Sequence, residues 1–200
     1  MRCFSCYNLS IEPICKECKQ DLLSIDIVKE RVGNLEVISF FDYYLIVDLI
    51  KSKYSMSGYR IYNYFGKEYF NPFIKNYMEN LEDKEQKIYL VGIDENLKSG
   101  YSAISTLLHK SAKGLKNIKP LFNVLKAKNR VKYAGKSLAF RLSNPRNFVY
   151  IGPKDIDVIL IDDTITTGTT LEEAFRVLKQ NGVNVHFALT VAYAKEEIDY

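Results

Sequence analysis

The stretch DVILIDDTITTGTT, from Asp157 to Thr170, decides the fold predicted for this chain. An apolar run typical of a buried strand ends in two carboxylates, Asp162 and Asp163, and a hydroxyl-rich turn around Gly168 follows. The next segment, TTLEEAFRVLKQNG, has the apolar spacing of a helix and is stopped by Gly182. The order of strand, turn and helix predicts a turn at the carboxyl end of a strand, where open α/β sheets bind ligands.

The residues of this turn suit a sugar and a phosphate, in that order. Gly168 allows the backbone to turn tightly, and the free amides at a helix start point at an anion. Further donors to phosphate oxygens are the hydroxyls of Thr166, Thr167, Thr169 and Thr170. Asp162 and Asp163 can accept hydrogen bonds from vicinal ribose hydroxyls and help to place Mg²⁺. The alternative is a chance strand-turn-helix in which an aspartate caps the helix.

Strand and helix patterns alternate along the rest of the chain. Strands are predicted at EVISFFDY, KIYLVGI, LFNVLK, VILID and VNVHFALTVAYA, and helices at YLIVDLIKSKY, GYRIYNYFGKEYFNPFIKNYM, GYSAISTLLHKSA and TTLEEAFRVLKQNG. This alternation predicts an α/β fold, a mostly parallel twisted sheet flanked by helices. The 200 residues suffice for one such core with a small satellite module.

The four cysteines of the chain are Cys3, Cys6, Cys15 and Cys18, which form two CxxC pairs separated by eight residues. Two such knuckles closing on one Zn²⁺ would give the four-thiolate tetrahedron of a structural zinc ribbon. Disulfides are the alternative, which a reducing cytosol disfavours. We therefore expect a zinc-ribbon-like four-cysteine module over residues 1–34 and a larger domain over residues 35–200, with the zinc structural because it has no open coordination position.

Basic residues are concentrated in the middle of the chain. Asn96 to Lys154 contain 13 of the 28 Lys and Arg residues and no Asp or Glu, which leaves 15 basic against 24 acidic residues elsewhere. This segregation indicates an anionic partner, either a phosphorylated small molecule or a nucleic-acid backbone, and the alternative is a solvated lysine-rich surface.

One part of this basic region, residues 126–147, interleaves cations with aromatic rings. This composition predicts either a flap that closes over pyrophosphate or a surface that follows single-stranded DNA. The candidate contact residues are Arg130, Lys132, Lys136, Arg141 and Arg146.

Apolar stretches long enough to span a bilayer are not found in the sequence. The richest, ISFFDYYLIVDLI, is interrupted by Asp42 and Asp48, and no charged-then-apolar leader opens the chain. We therefore expect a cytoplasmic protein without a transmembrane segment.

The stretch from Asp157 to Thr170 closely resembles the loop of type I phosphoribosyltransferases that binds 5-phosphoribosyl-1-pyrophosphate (PRPP). Together with the CxxC pairs, it makes the whole chain similar to the ComF (ComFC-type) competence proteins, which join a zinc-finger module to a phosphoribosyltransferase-like domain and assist natural transformation. Local likenesses to that family lie in DLIKSKYSMSGY, LKSGYSAIS and SLAFRLSNPRNF.

The resemblance implies a type I phosphoribosyltransferase-like fold that binds PRPP with Mg²⁺. The implied PRPP-binding residues are Asp162, Asp163, Thr164, Thr166, Thr167, Gly168, Thr169, Thr170, Lys98, Ser99 and Gly100. The family's Arg-Gly-Phe-Asn stretch is Ser99 to Ser102 here, so Lys98 is expected to stand in for the lost arginine. Further implied partners are single-stranded DNA and other competence proteins at the inner membrane face, where peripheral association is expected.

Three functions stay open on the sequence. The chain is a competence protein that binds Mg-PRPP and assists the uptake of single-stranded DNA, an active phosphoribosyltransferase of nucleotide salvage, or a module that binds single-stranded DNA and keeps a vestigial PRPP site. The acceptor of a transfer reaction is not visible in the sequence.

Overall fold

The computed structural model describes residues 2–94, 100–129, 131, 133 and 135–194. The strands are β1 Val28–Val32, β2 Leu35–Asp42, β3 Ile88–Gly92, β4 Ile118–Leu121, β5 Leu125–Ala127, β6 Phe148–Tyr150, β7 Asp157–Ile165 and β8 Asn184–Tyr193. The helices are α1 Lys16–Leu22, α2 Tyr43–Lys51, α3 Tyr59–Phe65, α4 Asn71–Glu79, α5 Ala103–Ala112, α6 Leu138–Ser143 and α7 Thr169–Gln180. None of the helices in the described ranges is long and apolar enough to cross a membrane.

Six strands form one sheet in the order β1-β2-β8-β7-β3-β4. The β1–β2 pair is antiparallel and the other neighbours are parallel, which confirms the predicted α/β fold with a mostly parallel sheet flanked by helices. The two remaining strands, β5 and β6, pair antiparallel and form the base of a long excursion over residues 128–147. Because the carboxyl ends of parallel strands share one edge, the segments after β2, β3, β7 and β8 meet there.

Two predicted strands differ in extent from those observed. Strand β7 continues past the acidic pair to Ile165, because its last residues pair in register with the long, buried strand β8. The predicted strand LFNVLK is divided between β4 and β5, because Asn123 has a φ of 58°, a left-handed conformation that interrupts extended pairing.

The sheet carries a separate hydrophobic core on each face. Ile159 and Ile161 of β7 belong to the core beneath α2–α5, whereas Val158 and Leu160 belong to the core beneath α7. This separation follows from the alternation of side chains along a strand. Many aromatic residues of α3 and of the segment that leads into α4 are core residues, and Phe40 and Phe70 stack with ring centroids 5.2 Å apart.

The cysteine-bearing segment packs on the larger core. Cys3, Ile14, Cys18 and Leu23 are buried in the same cluster as Tyr64. Strand β1 lies before residue 35 and yet extends the main sheet through its pairing with β2. The division of the chain into residues 1–34 and 35–200 stays a prediction.

A hydrogen-bonded chain of side chains ties α4 to the amino edge of the sheet. Tyr77 Oη lies 2.6 Å from His186 Nδ1, and His186 Nε2 lies 2.8 Å from Asp157 Oδ1. Asn184 donates to the same carboxylate oxygen at 2.6 Å. His186 is therefore a structural residue, at the opposite edge of the sheet from the turn after β7.

Replacement of Asp157 by asparagine is expected to reduce the acid sensitivity of the fold. Partial burial acts to raise the pKa of Asp157, but hydrogen bonds from Asn184 and His186 lower it overall from 3.8. A carboxyl with a lowered pKa stabilises the fold above its unfolded-state value and loses that contribution as the pH falls through the folded value. The free energy of unfolding, measured with urea at pH 6, should be about 1 kcal/mol higher for wild type than for Asp157→Asn. This difference should shrink below pH 4.

The exposed Asp155 nearby provides the matched control. Asp155→Asn should follow the wild-type pH dependence, and a difference between wild type and Asp157→Asn that stays constant from pH 6 to pH 3 would contradict this account.

Candidate functional site

The turn after β7 presents an uncapped helix start at the carboxyl edge of the sheet. Helix α7 begins at Thr169, and its N-cap, Gly168, has a φ of 73° and provides no side-chain cap. The first-turn amides of α7 therefore have no capping side chain, and the positive end of the helix dipole adds to their attraction for an anion. This is the position at which the sequence predicted a phosphate site.

Gly168 is required by packing as well as by its backbone conformation. The β1–β2 hairpin lies against the turn, so a Cβ added at Gly168 would lie 2.5 Å from Cγ2 of Val32. The hairpin tip also approaches α7, since a Cβ on Gly33 would lie 3.0 Å from Oε1 of Glu172. The start of α7 is thus held against β1, a contact between residues more than 130 positions apart.

The threonines of the turn surround this helix start. Thr167 Oγ1 lies 3.2 Å from Thr169 Oγ1. Thr164 Oγ1 is buried and has no hydrogen-bond partner within the described part of the chain. Thr166 is exposed, and Thr170 is half-buried in the first turn of α7. The hydroxyls predicted to bind phosphate are therefore brought together around one helix terminus.

The pyrophosphate-side residues are described only in part. Gly100 has a φ of 76°, and a Cβ there would lie 3.3 Å from Sδ of Met56. Lys98 and Ser99 lie outside the described residues. Their predicted roles stay predictions.

Asp162 and Asp163 face opposite sides of the sheet. Asp163 continues the side of β7 that carries Ile159 and Ile161, toward α2–α5, whereas Asp162 continues the side that faces α7. The Asp163 amide donates to Asp162 Oδ1 at 2.8 Å. The two adjacent carboxylates are therefore available to different partners.

Asp163 is neutralised by a lysine from the segment after α2. Its carboxylate is only 8% exposed and forms an ion pair with Lys53. The Tyr62 hydroxyl lies 3.4 Å from the same Asp163 oxygen and donates to the Ile50 carbonyl at 3.0 Å. Burial acts to lower the pKa of Lys53, but the charge and hydrogen bond of Asp163 raise it overall, so the ammonium form persists.

Asp162 lacks such a close counter-ion in the described part of the chain. Burial, followed by the negative charge of Asp163, raises the pKa of Asp162 to about 8, although Lys53 and Arg146 act in the opposite direction. A cationic ligand near this carboxyl would favour its charged form. The side of the site that faces α7 therefore holds a carboxyl group suited to a hydroxyl-rich or cation-bearing ligand.

The basic excursion reaches the turn between β7 and α7 through Arg141. The Nη1 atom of this arginine, on α6, donates to Thr166 Oγ1 and to Thr167 Oγ1, the latter at 3.2 Å. Its Nε donates to the carbonyl oxygen of Lys136 at 3.0 Å. One of the predicted flap residues thus lies directly on the turn.

Tyr133 and Arg146 support the base of this excursion. The Arg146 guanidinium lies 4.9 Å from the ring centroid of Tyr133, and the Tyr133 hydroxyl donates to the Asn144 carbonyl at 2.6 Å. Glu173 of α7 accepts hydrogen bonds from the backbone amides of Arg146 and Phe148. The excursion is therefore attached to α7 by its own backbone.

The acid-free segment is divided between two edges of the sheet. Helix α5 runs from the carboxyl edge to the amino edge, so the lysines after it are remote from the turn, and Lys116 lies 3.4 Å from Glu85. Lys136 lies over Phe140, with Nζ 5.3 Å from the ring centroid. Arg130 and Lys132 are outside the described residues. Arg141 and Arg146 are the candidate cations that the structure brings to the turn within its described ranges.

Exposed aromatic and apolar side chains lie in α2 and in the segment after it. The side chains of Tyr44, Tyr54 and Met56 are more than half exposed. Tyr54 adjoins the site directly, since its ring centroid lies 5.5 Å from Lys53 Nζ, the atom that pairs with Asp163. No local pattern indicates this arrangement, because the segment after α2 reaches β7 only through the fold.

The four cysteines form a second candidate site. Their Sγ atoms all lie within 4.8 Å of one another, and those of Cys6 and Cys15 are 3.7 Å apart. Tetrahedral Zn–S bonds of about 2.3 Å place sulfurs about 3.8 Å apart. Burial acts to raise the pKa of Cys3, but backbone amides, including those of Cys15 and Ser5, lower it overall to about 6. The sulfur set therefore fits a four-thiolate metal centre.

A scan against models of protein families finds no match, and a search of curated proteins finds none either. Among solved structures, UMP synthase from Leishmania donovani is 13% identical, with 88% of this chain aligned and a TM-score of 0.40. A hypoxanthine phosphoribosyltransferase from Staphylococcus aureus is 17% identical over 69% of this chain and 73% of its own, with a TM-score of 0.41. An adenine phosphoribosyltransferase from Saccharomyces cerevisiae is 14% identical over 90% of this chain and 89% of its own, with a TM-score of 0.43.

This chain spans about a third of the UMP synthase chain, since 31% of the latter is covered. At these identities and TM-scores, the likenesses carry no statement about substrate or reaction. What the chain can bind therefore follows from the residues of its own site.

Proposed function

We propose that this chain binds PRPP at the turn between β7 and α7. The observation that carries the proposal is the uncapped start of α7, surrounded by threonine hydroxyls and Arg141 and placed one step beyond two carboxylates. Hydroxyl and amide donors are complementary to a phosphate, and carboxylates are complementary to ribose hydroxyls. The order of these groups along β7 and α7 matches a ribose 5-phosphate.

Each half of the site has a separate task in this proposal. The α7 amides and the hydroxyls of Thr166, Thr167, Thr169 and Thr170 hold the 5-phosphate, while Asp162 accepts hydrogen bonds from the ribose. Asp163 is held by Lys53 and therefore acts as a fixed, neutralised carboxylate beneath the sugar. This arrangement reduces the repulsion that two free carboxylates would exert on the phosphates of PRPP.

The donor set also fits Mg²⁺ entering with PRPP. Asp162 faces the α7 side without a close ion pair in the described structure, and carboxylate oxygens are ligands that Mg²⁺ prefers. The ion, when bound, would neutralise negative charge on the pyrophosphate. The contribution of the chain is to fix the ribose and the 5-phosphate on one side of the bound ion.

We also propose that the four cysteines hold a structural Zn²⁺. Four sulfurs at tetrahedral spacing fill all coordination positions, so the ion would fix the segment around Cys3, Cys6, Cys15 and Cys18 without activating water. The proposed domain division, residues 1–34 and 35–200, then separates the metal-stabilised segment from the PRPP-binding part.

The resemblance to ComF proteins extends the proposal to natural transformation. In this role the chain, cytoplasmic and peripheral at the inner membrane face, would bind Mg-PRPP and assist single-stranded DNA after entry. The exposed ring of Tyr54 beside the Lys53–Asp163 ion pair supports a partner that has aromatic bases. The same ring is equally suited to the base acceptor of a salvage phosphoribosyltransferase.

These roles are separated by three measurements. Competence function requires that deletion of the gene abolishes transformation and leaves base salvage intact. Salvage function requires pyrophosphate release from PRPP with one particular base from a panel. A vestigial PRPP site requires salt-sensitive binding of single-stranded DNA that is unaffected by Asp162→Asn.

Replacement of Asp162 by asparagine tests PRPP binding. We expect it to weaken Mg-PRPP binding roughly 10- to 100-fold, because asparagine cannot become the charged ribose acceptor that a bound cation favours at this position. Asp42→Asn is the matched control, because Asp42 lies at the same sheet edge and asparagine keeps its N-cap of α2. Equal affinities of Asp162→Asn and wild type would contradict the ribose assignment.

A further inference from the structure

We propose that Arg141 is a direct ligand of the sugar phosphate and that phosphate binding thereby fastens α6 to the turn between β7 and α7. The inference rests on the proposed function and goes beyond it, because it assigns to the basic excursion a role at the 5-phosphate. The ligand class that Arg141 and the turn between β7 and α7 would recognise together is a phosphate monoester.

The position of Arg141 is fixed by contacts on several sides. Its Nε donates to the Lys136 carbonyl, and its guanidinium carbon lies 5.9 Å from the Tyr133 ring centroid. Its Nη1 reaches the hydroxyls of Thr166 and Thr167. Because the guanidinium is planar, these contacts also restrict the directions in which its remaining N–H groups can donate.

The charge of Arg141 has no carboxylate partner among the described residues. No carboxylate lies within ion-pair distance of its guanidinium in the ranges that the structure describes, although Lys53 in the same site is paired with Asp163. An arginine held against an uncapped helix start and two hydroxyls forms a concentrated positive site. A phosphate monoester is the complementary ligand, since arginine can bind two of its oxygens at once.

Arg141 also links two parts of the fold through this contact. It belongs to α6 in the excursion, whereas Thr166 and Thr167 belong to the turn that leads into α7. A phosphate bound between them would bridge both segments with hydrogen bonds between opposite charges, which are stronger than the present bonds from the guanidinium to neutral hydroxyls. Occupation of the phosphate site should therefore stabilise α6.

The test is calorimetric titration of ribose 5-phosphate into wild type, Arg141→Gln and Arg141→Lys. Arg141→Gln should bind roughly 10- to 100-fold more weakly, since hydrogen bonds to a charged group are lost. Arg141→Lys should recover only part of the affinity, because it keeps the charge without the planar fork. The control is Arg176→Gln, which removes the same charge from an exposed position on α7. Its affinity for ribose 5-phosphate should stay within about twofold of that of wild type.

Hydrogen exchange provides the second readout. Ribose 5-phosphate should slow amide exchange in α6 of wild type and leave it unchanged in Arg141→Gln. If Arg141→Gln binds ribose 5-phosphate as tightly as wild type, or if α6 exchange does not respond in wild type, the inference fails and the PRPP site still stands. If wild type binds neither Mg-PRPP nor ribose 5-phosphate, the proposed function fails first and the inference with it.

Discussion

Gly168→Ala is expected to lower the free energy of unfolding by about 3 kcal/mol and to weaken Mg-PRPP binding by more than about tenfold. Two separate effects contribute to this result. The φ of 73° is unfavourable for any residue with a Cβ, and that Cβ would overlap Val32, whose Cγ2 is 2.5 Å away. Relief of the overlap requires movement of the turn, which displaces the α7 amides from the phosphate. Urea unfolding and calorimetric titration measure the two effects.

Val32→Ala separates the steric part from the backbone part. In a Val32→Ala background the two overlapping methyl groups are absent and the close atom that remains is the Cβ of residue 32, 3.1 Å away. Gly168→Ala should then cost only about 1–2 kcal/mol, most of it the penalty of the left-handed conformation. A cost of Gly168→Ala that is the same in both backgrounds would show that the β1–β2 hairpin does not hold the turn.

Removal of zinc is expected to unfold the segment around the four cysteines and to lower the midpoint of thermal unfolding by at least about 10 °C. Cys3, Ile14, Cys18 and Leu23 are buried in the core that also contains Tyr64, so loss of this segment uncovers the side of the core beneath α2–α5. The experiment measures zinc content per chain and thermal unfolding before and after chelation. One zinc per chain is expected, and the change should be reversed by added Zn²⁺.

Cys18→Ser removes one of the buried sulfurs without a chelator, and Ser24→Ala, an exposed position nearby, is its control. Cys18→Ser should reproduce the destabilisation, whereas Ser24→Ala should not. A wild-type protein that contains no zinc and unfolds at the same temperature with and without chelator would rule out the metal centre.

Local patterns in the sequence were sufficient to predict the fold class and the position of the turn between β7 and α7. The apolar run before Asp162, the position of Gly168 and the helical spacing after it are local, and they predicted the start of α7 within one residue. The cysteine cluster followed from spacing in the same way. The neighbours of the site could not be predicted, because the partners of these residues are remote along the chain. Val32, which makes Gly168 necessary, is 136 residues away from it in the sequence.

The same limit applies to the charges. The acid-free segment was interpreted as one basic surface, but the direction of α5 places the lysines just after this helix at the opposite edge of the sheet from Arg141. The carboxylates were interpreted as one pair, but the continuation of β7 through Ile165 turns Asp162 and Asp163 to opposite faces. Lys53 pairs with Asp163 although the two residues are 110 positions apart in the sequence. Strand pairing and tertiary contacts decided each of these points.

Calorimetric titration of Mg-PRPP into the zinc-loaded protein tests most directly whether the turn between β7 and α7 binds PRPP. Asp162→Asn is the variant of choice, because Asp163→Asn would leave Lys53 partly buried without its counter-ion. We expect saturable binding of one Mg-PRPP per chain, weakened roughly 10- to 100-fold in Asp162→Asn and unchanged in Asp42→Asn. A folded wild-type protein that releases or absorbs no heat of binding at millimolar Mg-PRPP, at two temperatures, would contradict this claim.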